Sequence, residues 1–139
     1  MRILVLFITG LLAACGGEEG PPLLATDIEV SVPMPGTSIS SAYMTLTNNS
    51  DEPIRITKVS SPQYALIEIH ETTIDDNVAR MRQVDELAVK PGESLRLQRG
   101  GIHLMMMQPA TEIETVTLLL YDGDLLLMSM RTTPAAQEN

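Results

Sequence analysis

The chain predicts an all-β fold, a sandwich or barrel of short antiparallel strands. Three observations carry that expectation. Apolar residues recur with period two rather than 3.6, turn residues interrupt them at regular intervals, and no stretch offers a long amphipathic helix. The 139 residues amount to one domain, long enough to bury a core. With no tryptophan, three tyrosines and one phenylalanine, that core must be built from Leu, Ile, Val and Met.

The elements follow in order. Ile28, Val30 and Val32 alternate with polar neighbours until Pro33 and Pro35 stop the run. Residues 42–47 form a second strand, ended by the turn cluster Asn48-Asn49-Ser50-Asp51. Ile54, Ile56 and Val59 continue the sheet as far as Ser60-Ser61-Pro62. Residues 65–70 place Ile67 and Ile69 on one face and Leu66, Glu68 and His70 on the other. His70 is expected to end that strand at a mouth of the sandwich, with residues 72–77 as the loop or short turn that folds the chain back. Further strands are expected over 78–84, 87–89, 94–97 and 102–107, the last two separated by Gly100-Gly101, which permits close backbone approach. Residues 115–121 and 125–130 flank Asp122-Gly123, a hairpin signal because glycine tolerates the positive φ of such turns. No internal repeat is present.

The N-terminus has the pattern of a targeting segment. Arg2 precedes an apolar run over 3–12, too short to cross a bilayer as a helix. Leu12-Ala13-Ala14-Cys15 resembles the bacterial lipobox, in which cleavage precedes a lipidated cysteine. The expected organisation is a signal peptide over 1–14, lipidated Cys15 and a flexible tether over 15–26, a domain over 27–133 and a polar tail over 134–139. A periplasm-facing anchor follows, on the outer membrane by the resemblance of Gly16-Gly17 to its sorting pattern. Cys15 is the only cysteine, so there is neither an intrachain disulfide nor a CxxC pair. A formal charge of −9 and a pI near 4.5 argue against a nucleic-acid partner.

Both histidines belong to one spaced set of donors: His70, ten residues, Met81, twenty-one residues, then His103-Leu104-Met105. Thioether sulfur is a soft ligand that suits Cu(I) and has little attraction for zinc, calcium or magnesium. Two imidazoles and two thioethers make a neutral set. On a strand, His103 and Met105 project together while Leu104 turns away. A single methionine among strands is usually core filler, and Met44, Met106, Met128 and Met130 are read that way. A blue-copper carrier would need a cysteine thiolate, for which Cys15 is badly placed. No nucleophilic triad is evident, and Glu68 and Glu71 are read as solvated or supporting residues, so the chain is not expected to be an enzyme.

This spacing resembles the motif of the PCuAC family of periplasmic Cu(I) chaperones. Ala42-Tyr43-Met44-Thr45-Leu46-Thr47-Asn48, Glu68-Ile69-His70-Glu71, Pro91-Gly92 and Gly100-Gly101-Ile102-His103 resemble the family's surrounding segments. The likeness runs over roughly residues 27–131. It implies a cupredoxin-like Greek-key β-sandwich, with Cu(I) held by His70, Met81, His103 and Met105. It also implies copper delivery to the binuclear copper centre of respiratory oxidase subunit II, or to another periplasmic copper protein. Two departures stand out. Family members often carry Met directly after the first histidine, where this chain has Glu71, and some have a His- and Met-rich tail, whereas residues 132–139 contain neither. A copper-storage lipoprotein and a metal-free structural lipoprotein remain the alternatives.

Overall fold

A computed structural model describes residues 20–33 and 36–135, and every regular element in them is a β-strand. The expected signal peptide, Cys15, residues 16–19 of the tether and residues 136–139 of the tail lie outside the described residues. In chain order the strands are β1 (Leu23–Val30), β2 (Ile39–Asn48), β3 (Ile54–Ile56), β4 (Lys58–Ser60), β5 (Tyr64–Asp75) and β6 (Val78–Gln83). They continue as β7 (Leu87–Val89), β8 (Ser94–Leu97), β9 (Ile102–Pro109), β10 (Val116–Asp122) and β11 (Leu125–Thr132).

The larger sheet runs β1-β2-β9-β5-β6, all antiparallel. Strand β2 is long enough to pair β9 through Ile39 to Ala42 and β8 through Met44 to Thr47. Smaller ladders, β11-β10-β4 and β3-β7, complete the sandwich. Alternation along the strands builds the core between the sheets. Ala42, Met44 and Leu46 of β2, Ile69 of β5 and Leu104 and Met106 of β9 meet Leu118 and Leu120 of β10, Val59 of β4 and Met130 of β11. Met44 and Met106 are fully buried, unbranched fillers where aromatic side chains are scarce. The polar turn after β2 is equally well accommodated. Buried Asn48 donates to the Glu52 and Val89 carbonyls and accepts from Ser50.

Several strand boundaries differ from the sequence expectation, and three of them are informative. Strand β1 starts at Leu23, so residues 23–26 belong to the sheet rather than to the tether. Leu23 is buried and pairs with Asn48. A bulge between Thr26 and Glu29, with Asp27 at φ 52°, shifts the register, and a period-two count cannot pass through an inserted residue. Second, β5 does not stop at His70. The β-branched run Thr72-Thr73-Ile74 extends it to Asp75, and the hairpin closes through Asp76 and Asn77 alone, at φ 47° and 64°. Third, Ala135 forms a parallel bridge to Ser31, drawing the start of the tail onto the sandwich.

Candidate metal centre

Register brings the two histidines together. In the antiparallel β5–β9 ladder His70 lies directly opposite His103, one step from the pair Ile69–Leu104. Directly opposed residues share a face. Ile69 and Leu104 are buried in the core, so the histidines project from the other side of the larger sheet. Their ring centroids are 6.1 Å apart. The site therefore stands on the outer sheet face rather than at a mouth of the sandwich, because His70 is a mid-strand residue.

Met105 is opposite Glu68, and Met81 of the edge strand β6 is opposite Thr72. Both thioether side chains thus share the histidines' face and flank the pair from opposite ends. The four differ in depth. His103 is buried at 6% exposure, His70 and Met105 are half-buried, and Met81 is 54% exposed. Among the described residues no group of three or more His, Cys, Asp or Glu side chains could hold a metal.

Hydrogen bonds fix both rings. His103 Nδ1 bonds the Gly101 carbonyl at 3.0 Å, and that carbonyl also accepts from the Thr72 backbone N–H at 3.0 Å. His70 Nε2 bonds Glu68 Oε2 at 2.8 Å. The other nitrogen, His70 Nδ1, is buried without a hydrogen-bond partner, the one such side-chain atom among the described residues. Leaving a buried polar atom unpaired costs about 1–3 kcal/mol. A bound metal ion would supply the missing partner, so the donor set fits a soft cation.

Further side chains shield this face. The Tyr43 ring lies 6.4 Å from that of His103, and the Arg99 guanidinium sits 4.9 Å over the Tyr43 ring. Arg99 is in turn held by Glu29 at 2.6 Å. Glu71 turns to the opposite face and pairs with Arg82, so it takes no place in the donor set. Tyr43 and the Gly101 carbonyl escaped the sequence reading as supports, since their roles depend on which strands become neighbours. The Glu68–His70 contact was signalled by i, i+2 spacing on one strand.

The LpqE-like lipoprotein family matches residues 23–121 of the chain. No curated protein matches it. Among solved structures, the copper-bound PCuAC domain from PmoF2 superimposes with a TM-score of 0.67 at 15% identity, over 84% of this chain and 94% of that domain. The solution structure of CuI-DR1885 from Deinococcus radiodurans is 29% identical, with a TM-score of 0.63 over 86% of this chain and 82% of that one. Its apo form is 27% identical, with a TM-score of 0.62 over 99% and 94% respectively. The fold is that of these PCuAC domains, a cupredoxin-like β-sandwich.

Proposed function

The chain belongs to the LpqE-like lipoprotein family, and from that premise we propose that it is a membrane-anchored metallochaperone that binds one Cu(I) at His70, Met81, His103 and Met105. One observation carries the reading. A histidine with a buried, unpartnered ring nitrogen lies directly opposite a second histidine, with two thioethers on the same sheet face. Relatives of the same fold in copper-bound form support it.

A carrier must keep copper from solution and still release it. Neutral thioethers can be exchanged one at a time by incoming ligands without proton transfer, and no redox turnover is required. The gradient of exposure gives an order to release. Met81, on the exposed edge strand β6, is the donor that an acceptor's ligand reaches first, and His103 is the last to let go. The acceptor in this proposal is the binuclear copper centre of an oxidase subunit. Cys15 carries the lipid, and the domain faces the periplasm from the outer membrane.

Anaerobic titration against a competing Cu(I) chelator tests the reading. The expected result is one Cu(I) per chain, with sulfur as well as nitrogen neighbours in X-ray absorption and far weaker zinc binding. Only nitrogen and oxygen neighbours around bound copper would overturn the ligand set. A deletion strain with full oxidase activity would remove the proposed acceptor.

A further inference from the structure

We propose that Glu68 is a positioning residue that sets the tautomer of His70, so that Cu(I) meets His70 at Nδ1 and His103 at Nε2. This rests on the copper reading above and names the atoms through which the site works.

An ionised carboxylate offers only acceptor atoms. The 2.8 Å contact between Glu68 Oε2 and His70 Nε2 therefore places the imidazole proton on Nε2. Nδ1 is left with its lone pair bare, and Nδ1 is the buried atom without a partner. At His103 the assignment is reversed. Its Nδ1 faces the Gly101 carbonyl at 3.0 Å, and a carbonyl can only accept, so the proton sits on Nδ1 and the lone pair on Nε2. Two rings directly opposed in one ladder thus carry opposite tautomers, each imposed by an acceptor two residues earlier in the chain.

The asymmetry has consequences for the ion. Nδ1 is bonded directly to the ring carbon that joins the side chain, whereas Nε2 lies across the ring. Ligation through His70 Nδ1 and His103 Nε2 would thus draw on nitrogens at different reach from their own backbones. Glu68 also brings a negative charge beside a cation held by four neutral donors, without occupying a coordination position. Acting through the ring, it holds the imidazole in one orientation and leaves the ligating nitrogen its lone pair. Glu68 lies opposite Met105 and outside the core, so its replacement leaves the sandwich intact.

The test begins on the full chain without metal, by long-range proton–nitrogen NMR of the two imidazoles. The expected spectrum has His70 protonated at Nε2 and His103 at Nδ1. In Glu68→Ala the His70 preference should be lost. In Glu68→Gln, where the amide can either accept or donate, the two tautomers should mix. Chelator competition should show Cu(I) binding about 10–100-fold weaker in Glu68→Ala, the usual effect of removing a ligand's supporting partner, with the Gln variant between. In copper-loaded protein the metal should perturb His70 Nδ1 and His103 Nε2. A wild-type chain that binds no Cu(I) overturns the copper reading, and the ligand atoms with it. A chain that binds Cu(I) while His70 carries its proton on Nδ1, or a Glu68→Ala chain of unchanged affinity, overturns the positioning role alone.

Discussion

Neighbouring methionines in β9 have opposite fates. Met106 is fully buried and packs against the second sheet, while Met105 turns to the histidine face. Leucine nearly conserves methionine's volume, a change that usually costs less than about 1.5 kcal/mol even in a core. Met105→Leu is expected to keep the fold and weaken Cu(I) binding clearly, as read by chelator competition. Met106→Leu should touch stability slightly and copper hardly at all. Equal loss of affinity in the two variants would contradict the face assignment. The split between them was legible in the chain, because parity within a strand needs only the knowledge that it is a strand. Which ring nitrogen meets Glu68 or the Gly101 carbonyl was not legible, since spacing places each acceptor near its ring without saying how the ring is turned.

The β5–β6 hairpin is the element that presents Met81, and every residue of β6 is exposed. Its position therefore depends on the ladder to β5 and on the turn, with little help from burial. Asp76 and Asn77 both have positive φ, which a β-branched residue tolerates poorly. Asn77→Val should loosen the hairpin by about 1–2 kcal/mol, the cost of forcing an ordinary side chain into the left-handed region. Faster hydrogen exchange of the β6 amides and weaker Cu(I) binding are the expected readings, with the melting temperature of the sandwich little changed. Asn77→Gly should preserve both. Unaltered exchange in the valine variant would show that something besides the turn holds β6. The two-residue turn was hidden in the sequence. Thr72-Thr73-Ile74 can extend a strand or enter a loop, and only pairing with Ala79, Arg80 and Met81 decides it.

At the scale of the molecule, the proposal divides the chain into an anchor and a copper-carrying head, and the boundary lies earlier than composition implies. Leu23 is 2% exposed and lies in β1. A chain beginning at Gly20 should melt like the longer protein and bind Cu(I). One beginning at Asp27 loses Leu23, whose full burial is worth about 1.5–3 kcal/mol, together with four of the six residue pairs of the β1–β2 ladder. It should melt markedly lower, and equal melting temperatures would place residues 23–26 outside the stable domain. Cys15→Ser should release the protein from membranes while leaving Cu(I) affinity unchanged. Membrane retention of that variant, or loss of its copper binding, would break the division.

The order of apolar and polar residues by itself determined that the chain is all-β, where most strands lie, and which methionines fill the core. Each of these is a local property, decided by period two and by the turn residues that interrupt it. The spacing of the histidines and methionines likewise marked out the candidate donors. Tertiary structure decided the rest. A strand's own pattern cannot say which of its faces another sheet will cover, and packing β10, β4 and β11 over Ile69 and Leu104 turned His70 and His103 outward. The register between β5 and β9, whose paired residues lie more than thirty positions apart in the chain, set the histidines side by side. The bulge in β1 and the tight hairpin after β5 came from pairing across strands, where a one-residue slip would carry every side chain to the wrong face.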